Sequence, residues 1–519
     1  MSINKKICSM ALKHALLLTP ILLAPAPALA AACTPSAESS AAVRDLLADS
    51  IVGRDIIRQA AQRIGGVDKL RAIKRLRYIT EGDLSNGTQN YDPRKALDPD
   101  KNGPMTRIAE LNFDTRQHRR KTSIIDNAGQ TEAFWEHYAN GHAWTLYPGV
   151  GSLADDETDE ATFLDPITRS IPALLILQAM DNLTSASWIG ESCATGILSD
   201  VVEFSWNPGT RFRLHIDKED KLVRRIEATA SDTLVGDDNV FQDFEGEMIV
   251  DGISFPTMTR AWRRGTIYSQ LKTAQVEINP ALEIFANEPP ARLLRMPPAS
   301  SARHIGNGLY EYLTGITDYF IYFFDLGDGV AVFDAPISSD LSRQVEQEIE
   351  KTVGKPVKYV IASHFHGDHV GGLSHYVRQG VKVVATPENF AILSRYANAS
   401  ARLNGIKLPR AEPDFAAVDK QPLTLRGTNG QKLIIYRAPN ISHVQTMLMA
   451  YHPASRTLVT ADFFSEVAAF GADDARLAAW LKSPAAPKVD WLVGVHNRKI
   501  SYKEVQDRAA AFGKAKKVQ

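Results

Sequence analysis

The stretch SHFHGDHVGG, residues 363–372, sets His364, His366, Asp368 and His369 within six consecutive positions of a 519-residue chain that has 13 histidines in all. It follows directly on VKYVIAS, an apolar, β-branched run that reads as a strand, so it occupies the loop at a strand's C-terminal end, where α/β folds usually place their sites. His364 and His366 are two apart and can aim their imidazoles at one point. Asp368 and His369 follow across a bend that Gly367 permits and can reach a second point nearby, so one loop can seed two metal sites. Gly371 and Gly372 then let the chain turn tightly into the next helix. Four donors do not complete two sites, and the fold must bring others in from distant segments. Three stand downstream at strand ends: His443 closing YRAPNISH, Asp462 closing RTLVTAD, and His496 closing VDWLVGVH.

A chain of this length is too long for a single core, which stops growing at roughly 250–300 residues. Two domains are the expectation. Apolar residues make up 44% of the chain and charged residues 23%, a soluble globular balance that leaves material for both cores. The net charge of −1 and the lack of a Lys/Arg run argue against a nucleic-acid partner.

The first thirty residues carry a basic MSINKK, an apolar ALLLTPILLA and a small-x-small site at Ala28-Leu29-Ala30. They read as a secretory signal peptide, 1–30, and place the mature protein in the periplasm or outside the cell. A membrane anchor is the weaker reading, because Pro20, Pro25 and Pro27 interrupt a run already short of the ~20 residues needed to span a bilayer. Lipidation of Cys33 is a second choice, since Ala30 stands three places before it. Cleavage leaves Cys33 and Cys193. They could pair in an oxidising compartment, but the preferred reading has Cys33 in a mobile tail and Cys193 simply buried.

Residues 38–285 are expected to form a mostly antiparallel β domain opened by one or two helices that stop at Gly65-Gly66. From Leu70 to about Glu283 the pattern is one of alternating strands with turn signals, which suggests a curved sheet or half-barrel. A Pro-rich linker, 286–304, leads into an α/β domain, 305–519, in which three short strands, a helix over SRQVEQEIEKTV and the strand VKYVIAS begin an alternation of strands and helices.

In the order and spacing of the H-x-H-x-D-H loop, the third histidine, the aspartate and the final histidine, residues 305–519 resemble the metallo-β-lactamase superfamily. The resemblance implies an αββα sandwich. It also implies that His364, His366 and His443 bind a first metal, that Asp368, His369 and His496 bind a second, and that Asp462 bridges both, with Asp368 doubling as the candidate catalytic residue. Asp334 in VFDAP matches a supporting carboxylate of the family that orients a ligand histidine. The chain departs from the common pattern at Asn497, where glycine is usual, and at the VQT that follows His443. Aspartate rather than cysteine or serine at the bridging position points to ester, lactone, thioester or phosphodiester substrates, and Gly367 stands where the di-iron oxidoreductases have glutamate. More weakly, GGVDKLRAIKRLRY and VDGISFPTMTRAW resemble the periplasmic lipoprotein-carrier half-barrels. An acyl group in the concave face of the N-terminal sheet, or a packing and dimerisation module without a ligand, both stay open. Trp135, Trp144, Trp206 and Trp262 serve core or ligand box equally well.

These residues imply an exported hydrolase with two Zn2+ per chain, Mn2+ or Fe2+ being tolerated, that uses a metal-bridging hydroxide on a small-molecule substrate. No Ser-His-Asp or G-x-S-x-G arrangement offers a protein nucleophile. The rivals are a lipid-binding carrier with a structural metal domain and a mononuclear-iron sulfur dioxygenase. His375 reads as a solvated helix position, His304 and His452 as loop residues, and His118, His137, His142 and His215 show no ligand spacing.

Overall fold

The computed structural model describes residues 46–85, 90–98, 103–125, 131–147, 151–206, 211–232, 234–282, 293–294, 301–314, 319–399, 410–464 and 470–515. The proposed signal segment and Cys33 lie outside the described residues. No helix among those described is long and apolar enough to cross a membrane.

The helix Leu46–Ile64 ends where Gly66 N–H donates back to the Ala61 carbonyl at 2.8 Å, with Gly65 and Gly66 at φ of 151° and 86°. Such angles are open to glycine at little cost, so the stop is written in the sequence. The chain then lays down a fourteen-stranded sheet, antiparallel throughout except at one edge. Its central strand Arg75–Leu84 pairs with Gly103–Asn112 on one side and with Thr266–Ile278 on the other. One face is apolar where Leu76, Tyr78, Ala109, Leu111, Leu214 and Ile226 pack against the helices Leu46–Ile64 and Pro172–Asp181 in a single cluster. Period-2 alternation predicts this face.

Two helices, Glu160–Thr168 and Pro172–Asp181, interrupt what the sequence suggests is an unbroken series of strands. IPALLILQAM is apolar at nearly every position, and such a run does not declare helix or strand by its period. Burial of Ala173, Leu175, Ile176 and Ala179 against the sheet decides it. The Pro-rich segment also differs from a plain tether. Leu293–Leu294 pairs in parallel with Gly151–Glu157 at the sheet edge, and Arg303–Gly306 already belongs to the next sheet.

The C-terminal part is an αββα sandwich. A seven-stranded sheet runs from Arg303–Gly306 to Phe415–Ala417 and a six-stranded sheet from Leu423–Arg426 to Asn497–Ser501, each in sequence order. Phe320–Asp325 and Val330–Phe333 are buried on both faces, one facing the second sheet and the other the helices, which is why they read as continuous apolar runs. The helix Ser339–Val353 starts where Ser338 Oγ accepts from Leu341 N–H at 3.2 Å, and it ends at Gly354 with φ 65°. Leu341, Val345 and Ile349 anchor it to the core.

The two parts share packing. Ala96 and Leu234, from loops of the N-terminal sheet, belong to the C-terminal core, and Gln445 N–H donates to the Tyr91 carbonyl at 2.8 Å. Gly367 lies against Leu234 from the other part of the chain. Its backbone is helical rather than left-handed, and an added Cβ would lie 2.5 Å from Leu234 Cδ1. Gly371 and Gly372 are required by close approach of backbone, the Ile337 and Ser338 carbonyls lying 2.3 and 2.4 Å from the added Cβ, and not by a turn.

Candidate metal centre

The parallel strands Val330–Phe333 and Val357–Ile361 end side by side, and the chain leaving each supplies the site. Asp334 follows the first at φ 64° and is fully buried. Ile337, Ala461 and Phe464 also hold φ of 65°, 43° and 63°. Left-handed backbone at non-glycine residues costs of order 1–3 kcal/mol each and collects at functional sites.

Asp334 organises the loop after the second strand. Its Oδ1 accepts from Ser363 N–H at 2.7 Å, and its Oδ2 accepts from Ser363 Oγ at 2.9 Å and from His369 Nδ1 at 2.8 Å. Since Ser363 Oγ–H is given to Asp334, its lone pair can accept from His364 Nδ1 at 3.0 Å. One carboxylate thus anchors both rings at Nδ1 and directs Nε2 of both His364 and His369 inward. His366 is turned the other way. Its Nε2–H donates to the backbone carbonyl of Asn90 at 2.9 Å, so that Nδ1 faces inward, 3.0 Å from His443 Nε2. Asn90 is itself buried, and its side-chain amide donates to the Lys95 and Asp98 carbonyls at 2.6 and 2.8 Å, closing the loop that presents this carbonyl.

His443 sits on the loop before Leu448–His452, held by Asp473 in the first turn of Ala472–Trp480. The Asp473 carboxylate accepts from Ser442 N–H and Oγ at 2.9 Å and from His443 N–H at 3.3 Å. His496 follows Trp491–Gly494, and its ring meets that of Tyr319 edge-on at 4.9 Å, while Tyr319 Oη donates to Asp368 Oδ2 at 3.4 Å.

The seven residues singled out from sequence come together as two groups, His364/His366/His443/Asp462 and Asp368/His369/His496, with the donor atoms of each group within 4.8 Å of one another. Asp462 stands between them. Its Oδ2 lies 2.8 Å from His443 Nε2 and 3.4 Å from His364 Nε2, and its Oδ1 lies 2.6 Å from His369 Nε2 and 3.6 Å from His496 Nε2. Among the described residues, His364 Nε2 and Asp462 Oδ1 are buried and take no hydrogen bond, although a nitrogen stands 2.6 Å from the latter. Buried polar atoms left so are rare. Converging imidazole and carboxylate donors of this kind fit a divalent cation, and the Asp462 carboxylate faces both groups.

The electrostatics agree. Burial lowers the His364 pKa well below the usual histidine value, and the neighbouring His369 lowers it further, so the ring is neutral with a free lone pair. Burial, reinforced by His443, likewise holds His366 down at about 4. For His369 burial works in the same direction, but Asp462, Asp368 and Asp334 overcome it and hold the pKa well above the ordinary value. Three carboxylates around one buried ring call for positive charge. Burial would raise the pKa of Asp462, yet the facing His369 and His364 rings keep it well below the carboxylate range.

Asp334→Asn keeps the size but offers an N–H where His369 Nδ1 needs an acceptor. Outer partners of this kind are worth roughly 10–100-fold in metal affinity. Zinc competition against a chromophoric chelator is expected to show a loss in that range, with the circular dichroism spectrum unchanged.

Other histidines have structural partners. His375 bonds Glu346 Oε2 at 2.8 Å instead of lying on a solvated face. His452 ends a strand, fully buried, with Nδ1 2.8 Å from Ser455 Oγ, and His304 lies in Arg303–Gly306, where its Nε2 accepts from Gly308 N–H. His118 meets Glu160, His215 meets Glu227, and His137 stacks on Trp144 at 5.2 Å. Trp144 is core, and Trp206 stacks on Phe212 at 4.2 Å. Cys193 is neither buried nor free: it is partly exposed and disulfide-bonded.

Residues 315–496 match the metallo-beta-lactamase superfamily. Over 67 residues the chain is 36% identical to metallo-beta-lactamase type 2 of Elizabethkingia meningoseptica, which is 13% of this chain and 27% of that protein. Over 52 residues it is 36% identical to a linear primary-alkylsulfatase of Pseudomonas sp. (strain ATCC 19151), 10% of each chain. The chain thus spans about a quarter and about a tenth of the length of these two relatives. Among solved structures, a metallo-beta-lactamase from Pontibacter korlensis is 17% identical and covers 40% of this chain and 96% of its own, with a TM-score of 0.32.

Proposed function

With a metallo-beta-lactamase superfamily domain forming its C-terminal half, we propose that this protein is an exported two-metal hydrolase acting on an ester, lactone, thioester or related bond of a small molecule. The observation that carries this reading is Asp462, whose two oxygens face two separate donor groups. A structural site is normally closed and has no use for a shared carboxylate. Here the His443 side chain is 39% exposed, so the site opens to solvent on that side.

Divalent ions held there, zinc being the best match to imidazole and carboxylate donors, would activate a water and polarise the bond to be cleaved. The chain supplies the rest. His364, His366 and His443 hold one position, and Asp368, His369 and His496 hold the other. Asp334, Asn90 and Asp473 keep the ligand rings aimed. Asp368, less buried than His369 beside it, accepts from Tyr319 Oη, and the His369 and His496 rings hold it ionised against the effect of burial.

The test is a screen of zinc-loaded protein against esters, lactones, thioesters, phosphodiesters, β-lactams and an alkyl sulfate, the last two because relatives are named for those activities. Turnover of one class that is abolished by chelation and restored by metal is the expected result. Failure with every class on protein holding two metals would reject the reading.

Export is expected to leave Ala31 as the mature N-terminus with Cys33 unlipidated. Removal of Cys8 would leave Cys33 as the only cysteine of the chain able to pair with Cys193, and a disulfide is at home in an oxidising compartment. N-terminal sequencing and intact mass of protein from the periplasmic fraction check both statements. Met1 on the mature chain would refute export.

A further inference from the structure

The two donor groups are held by different means. In the first, the His364 and His366 rings are fully buried, with Ser363 and the Asn90 carbonyl behind them, and Asp473 fixes the loop of His443. In the second, only His369 is fully buried, and Asp334 holds it. The Asp368 side chain is 31% exposed and that of His496 16%. A ligating side chain keeps its aim only where packing or a hydrogen bond locks its rotamer.

Tyr319 meets both of these more open donors. Its hydroxyl donates to Asp368 Oδ2 at 3.4 Å, and its ring stands edge-on to the His496 ring at 4.9 Å and 69°. The same Asp368 oxygen lies 3.6 Å from His369 Nε2 and 3.7 Å from His496 Nε2. A carboxylate oxygen has two lone pairs, so Oδ2 can accept from the phenol and still face the point on which the two imidazoles converge. The hydroxyl thus opposes rotation of the carboxylate away from that point.

Tyr319 is itself fixed. Its carbonyl accepts from Thr314 Oγ1 at 3.1 Å, and the next residue, Phe320, donates its N–H to the Val495 carbonyl at 2.9 Å. Val495 precedes His496, and both Val495 and Phe320 are buried. One backbone hydrogen bond between the two sheets therefore sets the spacing of Tyr319 and His496, each a single residue away from it.

We propose that Tyr319 is the positioning residue of the second metal position: through Asp368 and His496 it sets the affinity of that position and leaves the first to its own anchors. This role rests on the two-metal reading of the centre but not on any substrate. Groups that hold a ligand without touching the ion are worth roughly 10–100-fold in affinity.

Zinc competition against a chromophoric chelator, on the full mature chain stripped of metal, reads the two equivalents in turn. Tyr319→Phe keeps the ring against His496 and loses the hydroxyl, and its second equivalent is expected to weaken about tenfold with the first unchanged. Tyr319→Leu loses both contacts, and its second equivalent is expected to weaken further, toward about 100-fold. With cobalt(II) as the probe, one equivalent added to either variant should give the visible spectrum of singly loaded wild type, and the spectrum of the doubly loaded protein should appear only at higher cobalt. A side chain that merely supported the fold would weaken both equivalents together and lower the melting temperature, and that result would overturn the proposal. Wild-type affinity for the second equivalent in Tyr319→Phe would overturn the hold of the hydroxyl on Asp368, and the same result in Tyr319→Leu would overturn the role of Tyr319 altogether. Should Tyr319→Leu not fold, the comparison of Tyr319→Phe with wild type decides. Wild type that takes up one equivalent or none would instead reject the two-metal reading itself, whereas two tight equivalents that no Tyr319 variant separates would reject only the role of Tyr319.

Discussion

Asp462→Asn is expected to retain about one equivalent of zinc, to melt within a few degrees of the wild type, and to lose hydrolysis by roughly 10²-fold or more, the scale on which one preorganised electrostatic contact acts. The amide fills the same space. It carries no charge, however, and one of its two ends is an NH2 group that cannot ligate, so only one of the two donor groups keeps an oxygen. The three imidazoles of His364, His366 and His443 still face one point, and Asp368, His369 and His496 lose the carboxylate that stands 2.6 Å from His369. Metal analysis, thermal melting and turnover on one preparation separate the possibilities. A purely structural metal domain would show a lowered melting temperature and no activity to lose. Wild-type turnover in Asp462→Asn would show that a shared-carboxylate mechanism is wrong.

His364→Ala is expected to be the more severe change for metal content. His364 is fully buried, and its ring lies 4.5, 4.2 and 5.4 Å from the rings of His366, His369 and His443, so it is the side chain around which the others are arranged. Truncation removes one inward nitrogen, frees Ser363 Oγ from its partner and leaves a hole among polar groups. Purified wild type should hold close to two equivalents of divalent metal, and the variant should lose the His364/His366/His443 position first. Hydrolysis should fall below detection and should not return with added zinc. Protein prepared without chelator that carries no tightly bound metal would remove the basis of the proposed function.

Much of the centre was legible because its parts obey local rules. The spacing of His364, His366, Asp368 and His369 after VKYVIAS is a strand-end loop in any fold that contains it, and the runs YFIYFFD and VAVF read as strands buried on both faces. Asp462 and His496 could be found because each closes an apolar run, and His443 because it stands just before one. The helix Pro172–Asp181 could not, because a continuous apolar run fits helix and strand alike and only its packing against the sheet decides.

The sequence by itself determined which donors the chain owns and that its C-terminal part would alternate strands with helices, the sandwich being what the family resemblance implied. Tertiary structure decided how those donors are held. His366 takes its orientation from a backbone carbonyl 276 residues away, His369 from Asp334 on a neighbouring strand, and the His443 loop from Asp473 at a helix start. Gly371 and Gly372 are glycine because the Ile337 and Ser338 carbonyls approach them closely, a reason no turn propensity contains. Periodicity records how a segment meets its own nearest layer, since burial repeats with the helical or strand period. A contact made once, between segments far apart in the chain, leaves no repeat to read, so the orientations of the ligand histidines exist only in the folded molecule.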